Sequence, residues 1–95
     1  MTMRIDGVQA RDLVMSGAQL LDVRSPQEFA EDAAPGAMNI PLHLLAKYTA
    51  LLDRAKTVVV YCRSGHRSAT ASELLRTQGF TQVYDIGALR NYYQF

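Results

Sequence analysis

With 95 residues, a formal net charge of +1, 48% hydrophobic and 20% charged residues, the chain has the balance of one small globular domain over residues 1–95. Its even charge draws it neither to nucleic acid nor to an anionic membrane surface, and no apolar run nears the roughly 20 residues of a membrane-spanning helix. A single cysteine excludes an internal disulfide and a cysteine-rich metal site, His43 and His66 are too far apart in sequence to suggest a ligand set, and no cofactor is expected.

The first residues lack the apolar stretch of a signal peptide, so a cytoplasmic location is expected, where thiols stay reduced. Residues 8–15 place Val8, Ala10, Leu13 and Val14 at spacings that predict a short amphipathic helix, ended by Ser16 and Gly17. Residues 20–23 read as a buried strand. Ser25 then predicts a helix N-cap, with Pro26 in the first turn and Glu28 completing a capping box. Residues 34–36 form a turn, residues 37–40 a second short strand closed by Pro41. Residues 42–52 predict a helix whose apolar face carries Leu44, Leu45, Tyr48, Leu51 and Leu52. Residues 57–61 are β-branched and aromatic, the strongest strand of the chain. A helix over residues 68–77 follows, capped by Ser68 and stopped by Gly79, then a strand over residues 82–85 and one or two final helical turns. Tyr48, Tyr61 and Phe29 read as core residues, and His43 as a helix-surface residue.

Strands alternate with helices, and two of the strands are apolar throughout. The pattern predicts an α/β fold: a small, mostly parallel sheet of about five strands with helices on both faces. Ligands of such sheets bind beyond the carboxyl ends of the strands. Cys62 stands at such an end.

The six residues 62–67, Cys-Arg-Ser-Gly-His-Arg, join this strand to the next helix. Gly65 permits backbone conformations closed to other residues, and successive N–H groups there can form an anion nest. The dipole of the following helix adds positive potential. Together these favour a thiolate, so Cys62 is the candidate nucleophile. Arg63 and Arg67 supply guanidinium groups that pair two oxygens of an oxyanion at once. Ser64, Gly65 and His66 complete the candidate binding loop, with His66 offering charge or a hydrogen bond at its rim.

Three segments carry a likeness: Leu21-Asp22-Val23-Arg24 with Glu28-Phe29; Pro35-Gly36-Ala37-Met38-Asn39-Ile40-Pro41; and the stretch of residues 58–68. With Glu73-Leu74-Leu75, Gly79-Phe80 and Val83-Tyr84 they span nearly the whole chain. In order and spacing the chain resembles a single-domain rhodanese, a thiosulfate or persulfide sulfurtransferase. The resemblance implies a rhodanese-like fold and a persulfide on Cys62, formed from thiosulfate or another donor and discharged to cyanide or a thiol. It further implies that Asp22 supports the site, that Arg24 pairs with Glu28, and that Ser68 belongs to the loop's support. The chain departs from the family pattern in two places. No histidine precedes the turn at residues 32–36, and residues 86–93 keep one glycine, Gly87, with Tyr92 or Tyr93 in place of a tryptophan. The tyrosines and Phe95 form a candidate self-association patch.

Two other functions compete with sulfur transfer. Phosphatases or arsenate reductases of the same fold use a loop one residue longer, with arginine six positions after cysteine, where this chain has Ser68. A non-enzymatic rhodanese-like carrier or binding module is the other.

Overall fold

The computed structural model describes residues 3–93. Five strands form one sheet in the order β1-β5-β4-β2-β3, and every adjacent pair is parallel. The strands are β1 (Met3–Arg4), β2 (Gln19–Asp22), β3 (Met38–Asn39), β4 (Val58–Cys62) and β5 (Val83–Ala88). The helices are α1 (Gly7–Met15), α2 (Pro26–Glu31), α3 (Leu42–Leu45) and α4 (His66–Thr77). Tight 3-10 turns at Thr49–Leu51 and Leu89–Tyr93 complete the order.

The centre of the sheet is β4, flanked by β5 and β2 and buried at every residue. Side chains alternate across a strand. Val58, Val60 and Cys62 therefore join Leu45, Leu75 and Phe80 on one face, while Val59 and Tyr61 join Ala10, Leu20 and Ile86 on the other. Both faces are covered, which explains why the strand reads as a continuous apolar run. Each fully buried valine contributes roughly 1.5–3 kcal/mol relative to exposure. The same alternation aims Cys62 at α4, the helix that its own loop begins.

Several local expectations are corrected by tertiary contacts. β1 adds a strand where the sequence predicts none, since both of its residues lie exposed on an edge strand beside β5. The helix expected over residues 42–52 ends at Leu45 and gives way to the 3-10 turn, leaving Tyr48 and Leu51 exposed while Leu45 and Leu52 reach the core. α1 starts one residue earlier than its apolar pattern, because Asp6 and Gln9 form a capping box, and Val8 faces outward. α4 starts at His66 with Gly65 as N-cap, so Ser68 lies inside the helix and is not its cap. Tyr92 packs into the core beneath the Arg11 guanidinium, and Arg11 donates a hydrogen bond to its carbonyl. The expected aromatic patch thus keeps Tyr93 as its exposed tyrosine, and Phe95 lies outside the described residues. Among the described residues no helix is long and apolar enough to cross a membrane.

Candidate active site

The parallel order brings the carboxyl ends of β2, β4 and β5 to one edge of the molecule. From the end of β4 the chain turns sharply into α4. Gly65 takes φ +101° at that turn, a left-handed conformation costly for any residue with a Cβ. Its N–H thereby donates to Cys62 Sγ at 3.0 Å. The buried Ser68 hydroxyl stands 3.5 Å from the same sulfur and 3.2 Å from the Gly65 carbonyl oxygen, to which it donates. A hydroxyl has one proton and two lone pairs. It can accept from a neutral thiol while bonded to Gly65, or turn its proton to a thiolate.

Burial of the sulfur pushes the Cys62 thiol up. The Ser68 hydroxyl and the N–H groups of Ser68, Gly65 and Ser64 favour the anion more strongly, and the net result lies below the ordinary thiol value. The expected anion nest is thus present in geometry, with Ser68 acting through its side chain on sulfur.

The guanidinium groups of the loop are differently employed. Arg67 makes a two-pronged contact with Glu28, Nη1 to Oε1 at 2.7 Å and Nη2 to Oε2 at 3.0 Å. Arg63 reaches the same carboxylate at 3.8 Å but leaves 77% of its side chain exposed. Arg67 holds the Glu28 carboxyl down at about 2, against the cost of burial and with help from the Ser25 N–H and hydroxyl. Glu28 in turn keeps Arg67 protonated. The expected Arg24–Glu28 pair does not form. Arg24 pairs instead with buried Asp22 at 2.7 Å, covers the Tyr61 ring, and donates to the Asp32 carbonyl. The reason is local: only Val23 separates Asp22 from Arg24, and the Asp22 carboxylate also accepts the Arg24 backbone N–H. Glu28 is turned away by its own capping box, accepting from the Ser25 N–H at 3.0 Å.

Asp22 and Arg24 therefore shape the loop leaving β2, pinned from β3 by Asn39, whose amide donates to the carbonyls of both. That loop sets the start of α2, and α2 sets Glu28 against Arg67. His66 is exposed at the start of α4, and His43 is exposed on α3. Arg4 carries no mark in the sequence. Its guanidinium lies over Gly65 and Gly87, and no sequence signal in a two-residue exposed strand could have placed it there. Gly87 did carry a signal, as the retained glycine of the family pattern.

A family model for the rhodanese-like domain matches residues 8–92. The chain belongs to the rhodanese-like family. Among curated relatives, it is 39% identical over 83 residues to the thiosulfate sulfurtransferase GlpE of Pseudomonas aeruginosa strain LESB58, covering 87% of this chain and 76% of that one. It is 36% identical over 80 residues to the thiosulfate sulfurtransferase PspE of Escherichia coli K12, covering 82% and 77%. The human single-domain sulfurtransferase TSTD1 superposes with a TM-score of 0.81 at 31% identity, over 97% of this chain and 94% of that one. A rhodanese-related protein from Thermoplasma volcanium gives 0.84 at 28% identity, over 96% and 90%. The five-stranded parallel sheet is thus the family's fold, reached here with a tyrosine-ended C-terminal turn.

Proposed function

We propose that this rhodanese-like chain is a thiosulfate sulfurtransferase working by double displacement on Cys62. The observation that carries the reading is the convergence on one sulfur of the Gly65 N–H at 3.0 Å and the Ser68 hydroxyl at 3.5 Å. The Cys62 thiolate attacks the outer sulfur of thiosulfate. A new S–S bond forms, the old one breaks, and sulfite departs with the electron pair. The loop N–H groups then hold the persulfide anion. Cyanide attacks its outer sulfur and leaves as thiocyanate, or a thiol takes that sulfur as a new persulfide; either route restores the thiolate. The chain has no second cysteine, so the acceptor comes from outside it. Cys62 has no exposed surface, so the donor reaches it only when the groups that cover it shift. Arg63, exposed and loosely held, is the arginine of the loop free to meet the donor's charge. Arg67 fixes the loop against α2. The reading places the chain in the cytoplasm, where its thiol stays reduced.

Intact-mass analysis before and after thiosulfate, with Cys62→Ser in parallel, tests this. Gain of one sulfur atom, reversed by cyanide and absent from the variant, is expected. A protein whose thiol reacts with iodoacetamide yet gains no sulfur from thiosulfate would refute the donor assignment. Persulfide that forms but passes only to a single protein thiol would favour a sulfur carrier.

A further inference from the structure

We infer that Arg4, on the edge strand β1, is an anion-binding residue of the Cys62 loop, receiving the oxyanion end of a charged substrate. The inference rests on Cys62 being the nucleophile. Arg67 is tied to Glu28 by two hydrogen bonds and Arg63 touches the same carboxylate only at 3.8 Å, whereas the Arg4 guanidinium has no hydrogen-bond or ion-pair partner among the described residues and stands as a second cation beside the exposed Arg63. Nearby carboxylates are turned to backbone donors. Asp85, its register partner on β5, accepts the Gly87 N–H at 2.7 Å, and Asp6 accepts the Gln9 N–H at 2.8 Å.

Two glycines clear the space for this cation. A Cβ on Gly87 would lie 2.1 Å from Arg4 Nη2, and one on Gly65 would lie 3.3 Å from it. Arg4, Ser64, Gly65 and His66 line a depression of about 310 Å³ over the loop. The Gly65 N–H is itself 3.0 Å from Sγ. With about 2.5 Å between a residue's N and Cβ, the guanidinium is held within about 9 Å of the sulfur. Two S–S bonds of about 2 Å put the sulfonate oxygens of an attacked thiosulfate roughly 4–5 Å from Sγ, and one N–H···O hydrogen bond of about 2.9 Å spans most of the remainder. A carboxylate on an acceptor thiol meets the same geometry.

The test compares Arg4→Gln and Arg4→Lys with the parent chain. Both changes sit on an exposed strand, and thermal melts check their folding. Alkylation of Cys62 by anionic iodoacetate is measured against neutral iodoacetamide. The ratio of the two rate constants is expected to fall about 3- to 10-fold in Arg4→Gln and to return in Arg4→Lys, from loss and restoration of one charge at this range. An unchanged ratio in folded Arg4→Gln overturns the inference. This readout needs only a nucleophilic thiol, so it decides the matter even where thiosulfate fails as donor. Steady-state assays then name the substrate. A raised KM for thiosulfate with neutral dithiothreitol as acceptor assigns the site to the donor's sulfonate; a raised KM confined to mercaptosuccinate assigns it to the acceptor's carboxylates.

Discussion

Replacing Glu28 by glutamine separates the charge of this side chain from its shape. The amide oxygen still accepts the Ser25 N–H, so the capping box of α2 survives. What is lost is the anion and one of the two acceptors facing Arg67. In the fold the Glu28 carboxyl is held at about 2, against an ordinary 4.5. At about 1.4 kcal/mol per pH unit, a gap of that size corresponds to roughly 3 kcal/mol as an upper bound. The Arg67 side chain is 36% exposed, so solvent screening and the mobility of two long side chains reduce the expected loss to about 1–2 kcal/mol. For a chain of this length, that lowers Tm by roughly 5–10 °C. The sign of the pH dependence follows from the depressed pKa. The stabilisation needs the ionised carboxylate, is fully present above 4.5, and is lost as pH falls toward about 2. Thermal melts of the parent and Glu28→Gln at pH 7 and pH 3 measure it. The deficit of the variant is expected at pH 7 and should shrink at pH 3. Equal Tm values at pH 7, or a deficit of the same size at both pH values, would refute the assignment of this pair as an ionic tie between α2 and α4.

Two further outcomes follow from the loop geometry. Ser68→Ala removes the hydroxyl beside Sγ, so the pH profile of iodoacetamide alkylation should move toward the ordinary thiol range, with a rate roughly 3- to 10-fold lower at neutral pH; an unmoved profile would show that the backbone N–H groups alone hold the anion. Gly87→Ala forces a Cβ onto φ +75° and into the Arg4 guanidinium, and is expected to cost about 1–2 kcal/mol in urea unfolding; a loss under about 0.3 kcal/mol would mean that β5 relaxes freely at Ile86, the extra residue where its register shifts opposite Val60 and Tyr61.

Elements whose stability is local, or whose burial is complete, can be read directly from the chain. β4 was legible because a central parallel strand is apolar on both faces, and the Cys62 loop because its residue types are those an anion nest needs. The Ser25–Glu28 capping box was legible because it closes over three residues. The tertiary structure decided which charge meets which. Arg24 is expected from the resemblance to meet Glu28, and burial beside Asp22 gives it that carboxylate instead. Arg67 reads from its loop as a substrate contact, and only the tertiary structure brings Glu28, 39 positions away, against it. Arg4 gained its place only when β1 paired in parallel with β5, from the opposite end of the chain. Periodicity and capping report forces that act within a few residues. Ion pairs and sheet order join residues that are distant along the chain, so they come into being only when the core has fixed where each strand ends.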